Sequence, residues 1–83
     1  MRAQDLLPDD VSQAQFYGVS VRKGSVGAFL ANARTLTDPA ATVEARAAAE
    51  RDLVELLPAL RALGLFDVLE IRDKDLRAFV DAH

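Results

Sequence analysis

Between Thr42 and Gly64 the apolar residues fall alternately four and three positions apart. Ala49, Leu53, Leu56, Leu60 and Leu63 keep this spacing, and Val54 and Leu57 widen the row. A helix with 3.6 residues per turn gathers such positions on one face. The spacing predicts a long helix ending at Leu63, with Gly64 as a left-handed cap and Leu65 packing back on Leu60. Its start is open. Asp38-Pro39 reads as a cap followed by proline at the first helical position, and Thr42 is a second cap, so the helix runs over 39/43–63. Pro58 lacks the amide that would serve the Val54 carbonyl, and its ring crowds that turn, so a kink or break is expected near Leu56-Leu57. Glu44, Arg46, Glu50, Arg51 and Glu55 fall mostly on the other side. Arg46 with Glu50 and Arg51 with Glu55 are spaced for weak pairing.

Two further helices follow from the same pattern. Ser25 is a good cap, and Val26, Phe29, Leu30, Ala33 and Leu36 then form a stripe over 26–36. Asp73 caps a last helix over 73–82, with Leu76, Phe79 and Val80 turned inward. Before them, Val19 and Val21 alternate with Ser20 and Arg22, which is a strand pattern and places a short β element near 17–22. Tyr17-Gly18 is a candidate tight turn. The strand's partner is residues 11–16, the Phe66–Ile71 segment or a second copy of the chain. Leu65 to Ile71 is dense enough in apolar residues for a short strand or a buried connector. Residues 1–10 carry the least pattern: Pro8, Asp9 and Asp10 read as a loop or a short turn of helix and the first few residues as a disordered end, while the reading that competes with a β element caps a short helix at Asp9 and runs it to Gln15. The expected fold is mainly α, a single small domain over 1–83 with about three helices and an N-terminal β element.

Composition then decides how secure such a fold is. Apolar residues are 51% of the 83, but 15 of them are alanine, which fills little of a core. Folding a chain of this size buries ~8,000 Å². The apolar part of that contributes on the order of 120 kcal/mol. Ordering the chain costs on the order of 120 kcal/mol as well. A domain so near balance is expected to self-associate, as a homodimer or with another protein partner. There is no cysteine for a disulfide or a thiolate metal site, and the single histidine is residue 83. No apolar run approaches the ~18 residues of a membrane span, and none near the start resembles a signal peptide, so a cytoplasmic location is expected. A net charge of −3 argues against sequence-independent nucleic-acid binding, which needs a clustered basic face.

Two segments carry a resemblance. Val21-Arg22-Lys23-Gly24-Ser25-Val26-Gly27-Ala28-Phe29-Leu30-Ala31-Asn32-Ala33 is one. Leu57-Pro58-Ala59-Leu60-Arg61-Ala62-Leu63-Gly64-Leu65-Phe66, continuing to Ile71-Arg72-Asp73, is the other. Together they resemble a family of short uncharacterised bacterial proteins over roughly the last two thirds of the chain. The resemblance implies a bacterial cytoplasmic protein and brings no catalytic residue with it.

Few residues can carry chemistry. Arg22, Lys23, Gly24 and Ser25 lead into a helix, where free amides, a positive dipole end, a hydroxyl and two cations favour an anion. The order Lys-Gly and the missing earlier glycine rule out a Walker A loop. The plainer account is a strand end, a turn and a cap. Asp9 with Asp10, and Asp73 with Asp75, are the close carboxylate pairs, and both stand where acids stabilise a helix start. Ser12, Ser20 and Ser25 have no internal histidine to activate them. The reading is a non-enzymatic interaction or self-association module without cofactor or metal. Its candidate interface residues are Tyr17, Val19, Val54, Leu57 and Phe66. The alternative is a small anion- or nucleotide-binding protein using the Arg22–Ser25 turn.

Overall fold

In the computed structural model, residues 13–16 and 18–83 are described. The expectations for residues 1–10 and for Tyr17 lie outside them. The order of elements is β1 (Gln13–Phe16), β2 (Val19–Arg22), α1 (Ser25–Thr37), α2 (Val43–Leu63), α3 (Leu65–Val68) and α4 (Lys74–Asp81). The fold is mainly helical, as the apolar spacings predict. Among the described residues, no helix is long and apolar enough to cross a membrane.

β1 and β2 form an antiparallel ribbon in the register Phe16↔Val19, Gln15↔Ser20, Ala14↔Val21, Gln13↔Arg22. Of the three partners open to β2, the preceding segment is the one it takes. β2 lies on α2 with Val21 buried, so a helix supports the ribbon, which is marginal alone. Lys23 and Gly24 turn the chain into α1. Gly24 has φ 90°, a conformation costly with a Cβ, and its carbonyl accepts from the Ala28 amide at 2.9 Å. The cap of α1 is therefore Gly24 and not Ser25, as the sequence pattern suggested. Ser25 is the first helical residue, and its hydroxyl turns back to donate to the Arg22 carbonyl at 2.7 Å.

α1 ends at Thr37, and Asp38-Pro39 begins a turn instead of a helix. The Asp38 carboxylate accepts from the Ala40 amide at 2.9 Å, and its carbonyl accepts from the Ala41 amide and from Arg46 Nη2. Thr42 caps α2 by accepting from the Ala45 amide at 3.0 Å. Arg46 thus points to the preceding loop rather than to Glu50. The four-apart pairs Arg46–Glu50 and Arg51–Glu55 do not close. α2 continues through Pro58 to Leu63, so the expected break is not there. Pro58 is exposed, and the bond it omits falls on the solvent side, where water can serve the free carbonyl.

Gly64, at φ 81°, caps α2, and its amide donates to the Arg61 and Leu60 carbonyls. The segment after it corrects the sequence expectation. Leu65 to Ile71 is neither a strand nor a buried connector: it makes the single turn α3 and then extended chain. With no neighbouring strand among the described residues, its backbone bonds locally, Leu69 amide to Leu65 carbonyl at 3.0 Å. Asp73 then caps α4 as predicted, its carboxylate accepting from the Leu76 amide at 2.9 Å.

The core joins Phe29 and Ala33 of α1, Leu53, Leu57 and Leu60 of α2, and Leu76 and Val80 of α4. Phe29 meets Phe66 edge to face at 5.8 Å. The buried line of α2 runs Leu53–Leu57–Leu60, with Leu56 and Leu63 at its margin. Leu57, expected at an interface, is 1% exposed and fills the centre of the core.

Candidate interaction surface

The apolar stripe of α1 has five positions, of which Phe29 and Ala33 are buried and Leu36 is partly so. Val26 remains 39% exposed and Leu30 51%. Opposite them the extended chain after α3 presents Leu69, which is 58% exposed. Between these two banks lies an open hollow of about 360 Å³ whose floor is Phe29, Leu65, Phe66 and Ile71. Large apolar side chains left in water around a concavity are the usual sign of a surface made for another molecule.

Charges sit on the rim of the hollow at Glu70, Arg72 and Asp73. Glu70 accepts from Arg77 Nη1 at 2.7 Å, and the same nitrogen donates to the Ile71 carbonyl at 3.2 Å. Asp73 is held by its cap. Arg72 is exposed and makes no hydrogen bond or ion pair within the described residues. It is the rim charge that remains available to a partner.

A second hollow, about 600 Å³, opens on the other side of the connector beside Arg61, Arg77, Asp67 and Asp81. Its two guanidinium groups are already engaged. Arg61 donates to the Val80 and His83 carbonyls at 3.0 and 3.2 Å, and Arg77 holds Glu70. The exposed Val68, at 83%, borders this side.

The residues expected at an interface do not converge. Phe66 lines the apolar hollow. Val54, 39% exposed, lies elsewhere, beside the stacked rings of Phe79 and His83, whose centroids are 4.3 Å apart. Val19 is half-buried in β2, and Leu57 belongs to the core. Apolar spacing alone assigns Val26, Leu30 and Leu69 to the core, so it does not point to them as surface residues. The available signal was the width of the α1 stripe, broader than a helix with one main neighbour can bury.

The basic turn is brought together in space, with Arg22 and Lys23 exposed at the start of α1. Ser25, however, is 7% exposed and its hydroxyl hydrogen is engaged by the strand end. The hollow next to Arg22 is also lined by Asp52 and Glu55, which lower its attraction for an anion. Among the described residues, no group of three His, Cys, Asp or Glu side chains is placed to hold a metal ion.

The described residues define a small helical domain with a β-ribbon at its start and an apolar hollow on one face. In comparisons with family models, with curated proteins and with solved structures, nothing matches the chain.

Proposed function

We propose that this chain is a non-enzymatic protein-interaction module that works as a homodimer and offers its apolar hollow to an amphipathic helix of a partner protein. The observation that carries the reading is the exposure of Leu30 and Leu69 on the two banks of the hollow. Val26, Leu30 and Ala33, at i, i+4 and i+7, give a bank about two turns of helix long. Helix-in-groove docking uses the same spacing on the incoming face. Arg72, unengaged on the rim, favours a carboxylate on that helix.

A synthetic amphipathic helix with leucines at i, i+4 and i+7 and a flanking glutamate tests this by amide NMR. Shifts are expected for residues 26–33 and 65–73. Completing the burial of two half-exposed leucines is worth about 2–3 kcal/mol, so Leu30→Glu with Leu69→Glu should weaken binding at least about 30-fold. A helix with lysine in place of the glutamate should bind less well. Unmoved amides in a folded sample, or equal shifts in the double variant, would remove the basis of the reading.

A further inference from the structure

We propose that two copies of this chain join edge to edge along β1, antiparallel, across a two-fold axis at Ala14, so that two ribbons become one four-stranded sheet. This rests on the homodimer reading above and places the contact away from the apolar hollow.

The argument begins with the backbone. Phe16 and Val19 flank a two-residue connection and so form a hydrogen-bonded pair. Antiparallel pairs alternate, which makes Ala14↔Val21 the next hydrogen-bonded pair. The amides and carbonyls of Gln13 and Gln15 are therefore directed away from β2. Among the described residues no strand meets them, since the sheet has two strands. Setting residue 13 opposite residue 15 of the second copy lets all four of these groups on each copy exchange bonds, with Ala14 facing Ala14 on the axis.

The sequence of this edge is what selects a second copy. Exposed edges are normally guarded by charge, proline, a bulge or a covering element. Gln13-Ala14-Gln15-Phe16 has no charge and no proline, and its register is regular, without a bulge. Across a two-fold axis only the on-axis residue meets its own copy, here Ala14, while residues 13 and 15 exchange, so this uncharged edge brings no like charges together. Pairing also gives a two-stranded ribbon the additional strands that make a sheet stable.

Light scattering on the full chain tests the proposal, with circular dichroism to confirm that each variant is folded. Gln15→Pro removes an outward amide and leaves the β1–β2 bonds in place. Gln13→Lys with Gln15→Lys sets lysine opposite lysine across the axis, and Gln13→Glu with Gln15→Glu does the same with acids. The expected result is a wild type near twice its 9.0 kDa, all three variants near 9.0 kDa, and recovery of the doubled mass when lysine and glutamate variants are mixed. A wild-type dimer that survives both Gln15→Pro and the lysine pair overturns the edge contact and leaves the homodimer reading standing. A mixture that stays at 9.0 kDa also overturns it. A wild type of 9.0 kDa at millimolar concentration overturns the edge contact and the homodimer reading together.

Discussion

Replacing Pro58 with alanine should stabilise the fold. Pro58 is the sixteenth residue of the 21 in α2, deep inside an unbroken helix. A proline in a helix interior costs about 3 kcal/mol relative to alanine, through the lost hydrogen bond and the crowded carbonyl four residues back. The Val54 carbonyl that loses its partner faces the solvent side, where water offsets part of that cost. The exposed position means that no core packing is lost on removing the ring. The gain should therefore be about 1–3 kcal/mol, which in a domain this small raises Tm by about 4–8 °C per kcal/mol. Thermal melts at fixed protein concentration, with urea unfolding for comparison, give the measurement. The urea midpoint should rise while its slope stays constant. A Tm that is unchanged or lower would refute the reasoning. It would mean that Pro58 sets a bend on which the packing of Leu57 and Leu60 depends.

Two other substitutions test the fold more simply. Leu57→Ala removes a side chain that is 1% exposed and should cost about 2–5 kcal/mol, whereas Val54→Ala, 39% exposed on the same helix, should cost less than about 1 kcal/mol. Urea midpoints of the pair check whether Leu57 is a core residue. Asp73→Ala leaves the Leu76 amide without its cap, should cost about 1 kcal/mol, and should speed hydrogen exchange in the first turn of α4 before it affects α2.

Much of this fold is legible in the sequence because its signals are local. Thr42, Gly64 and Asp73 act through bonds to residues a few positions away, so their roles can be read without knowing the neighbours. Asp38-Pro39 misleads for the same reason: an Asp side chain followed by proline suits a turn as well as a helix start. The return of Arg46 to the Asp38 carbonyl reinforces the turn. What local pattern cannot supply is the centre of a broad apolar face. Leu53, Leu56, Leu57, Leu60 and Leu63 all belong to one arc of α2, and only the positions of α1 and α4 decide that Leu57 is buried with Leu53 and Leu60 while Leu56 and Leu63 stay at the margin. The candidate surface was hidden by the same limit. Val26, Leu30 and Leu69 look like core residues until α1 turns one edge of its stripe away from α2 and the chain after Gly64 fails to find a strand.

The short α4 owes its position to a contact that no periodicity announces. Its eight residues are too few to hold a helix by propensity, so its ends must be tied. Asp73 ties the first turn. At the other end Arg61, on α2, donates to the Val80 and His83 carbonyls, 19 and 22 residues further along the chain. The Val80 carbonyl, in the last turn of the helix, also accepts from the His83 amide at 3.2 Å, and a cation beside it suits the dipole. Arg61→Ala should therefore cost about 1 kcal/mol globally, the modest figure reflecting an exposed side chain. It should raise exchange at the amides of 79–82 by more than at those of 55–60. Arg61→Lys keeps the charge but cannot reach both carbonyls with one fork, so it should restore the dipole interaction and only part of the protection. If Arg61→Ala leaves the exchange pattern of α4 unchanged, then the packing of Leu76 and Val80 alone positions the helix. The polar tie would then follow from the fold rather than help to fix it.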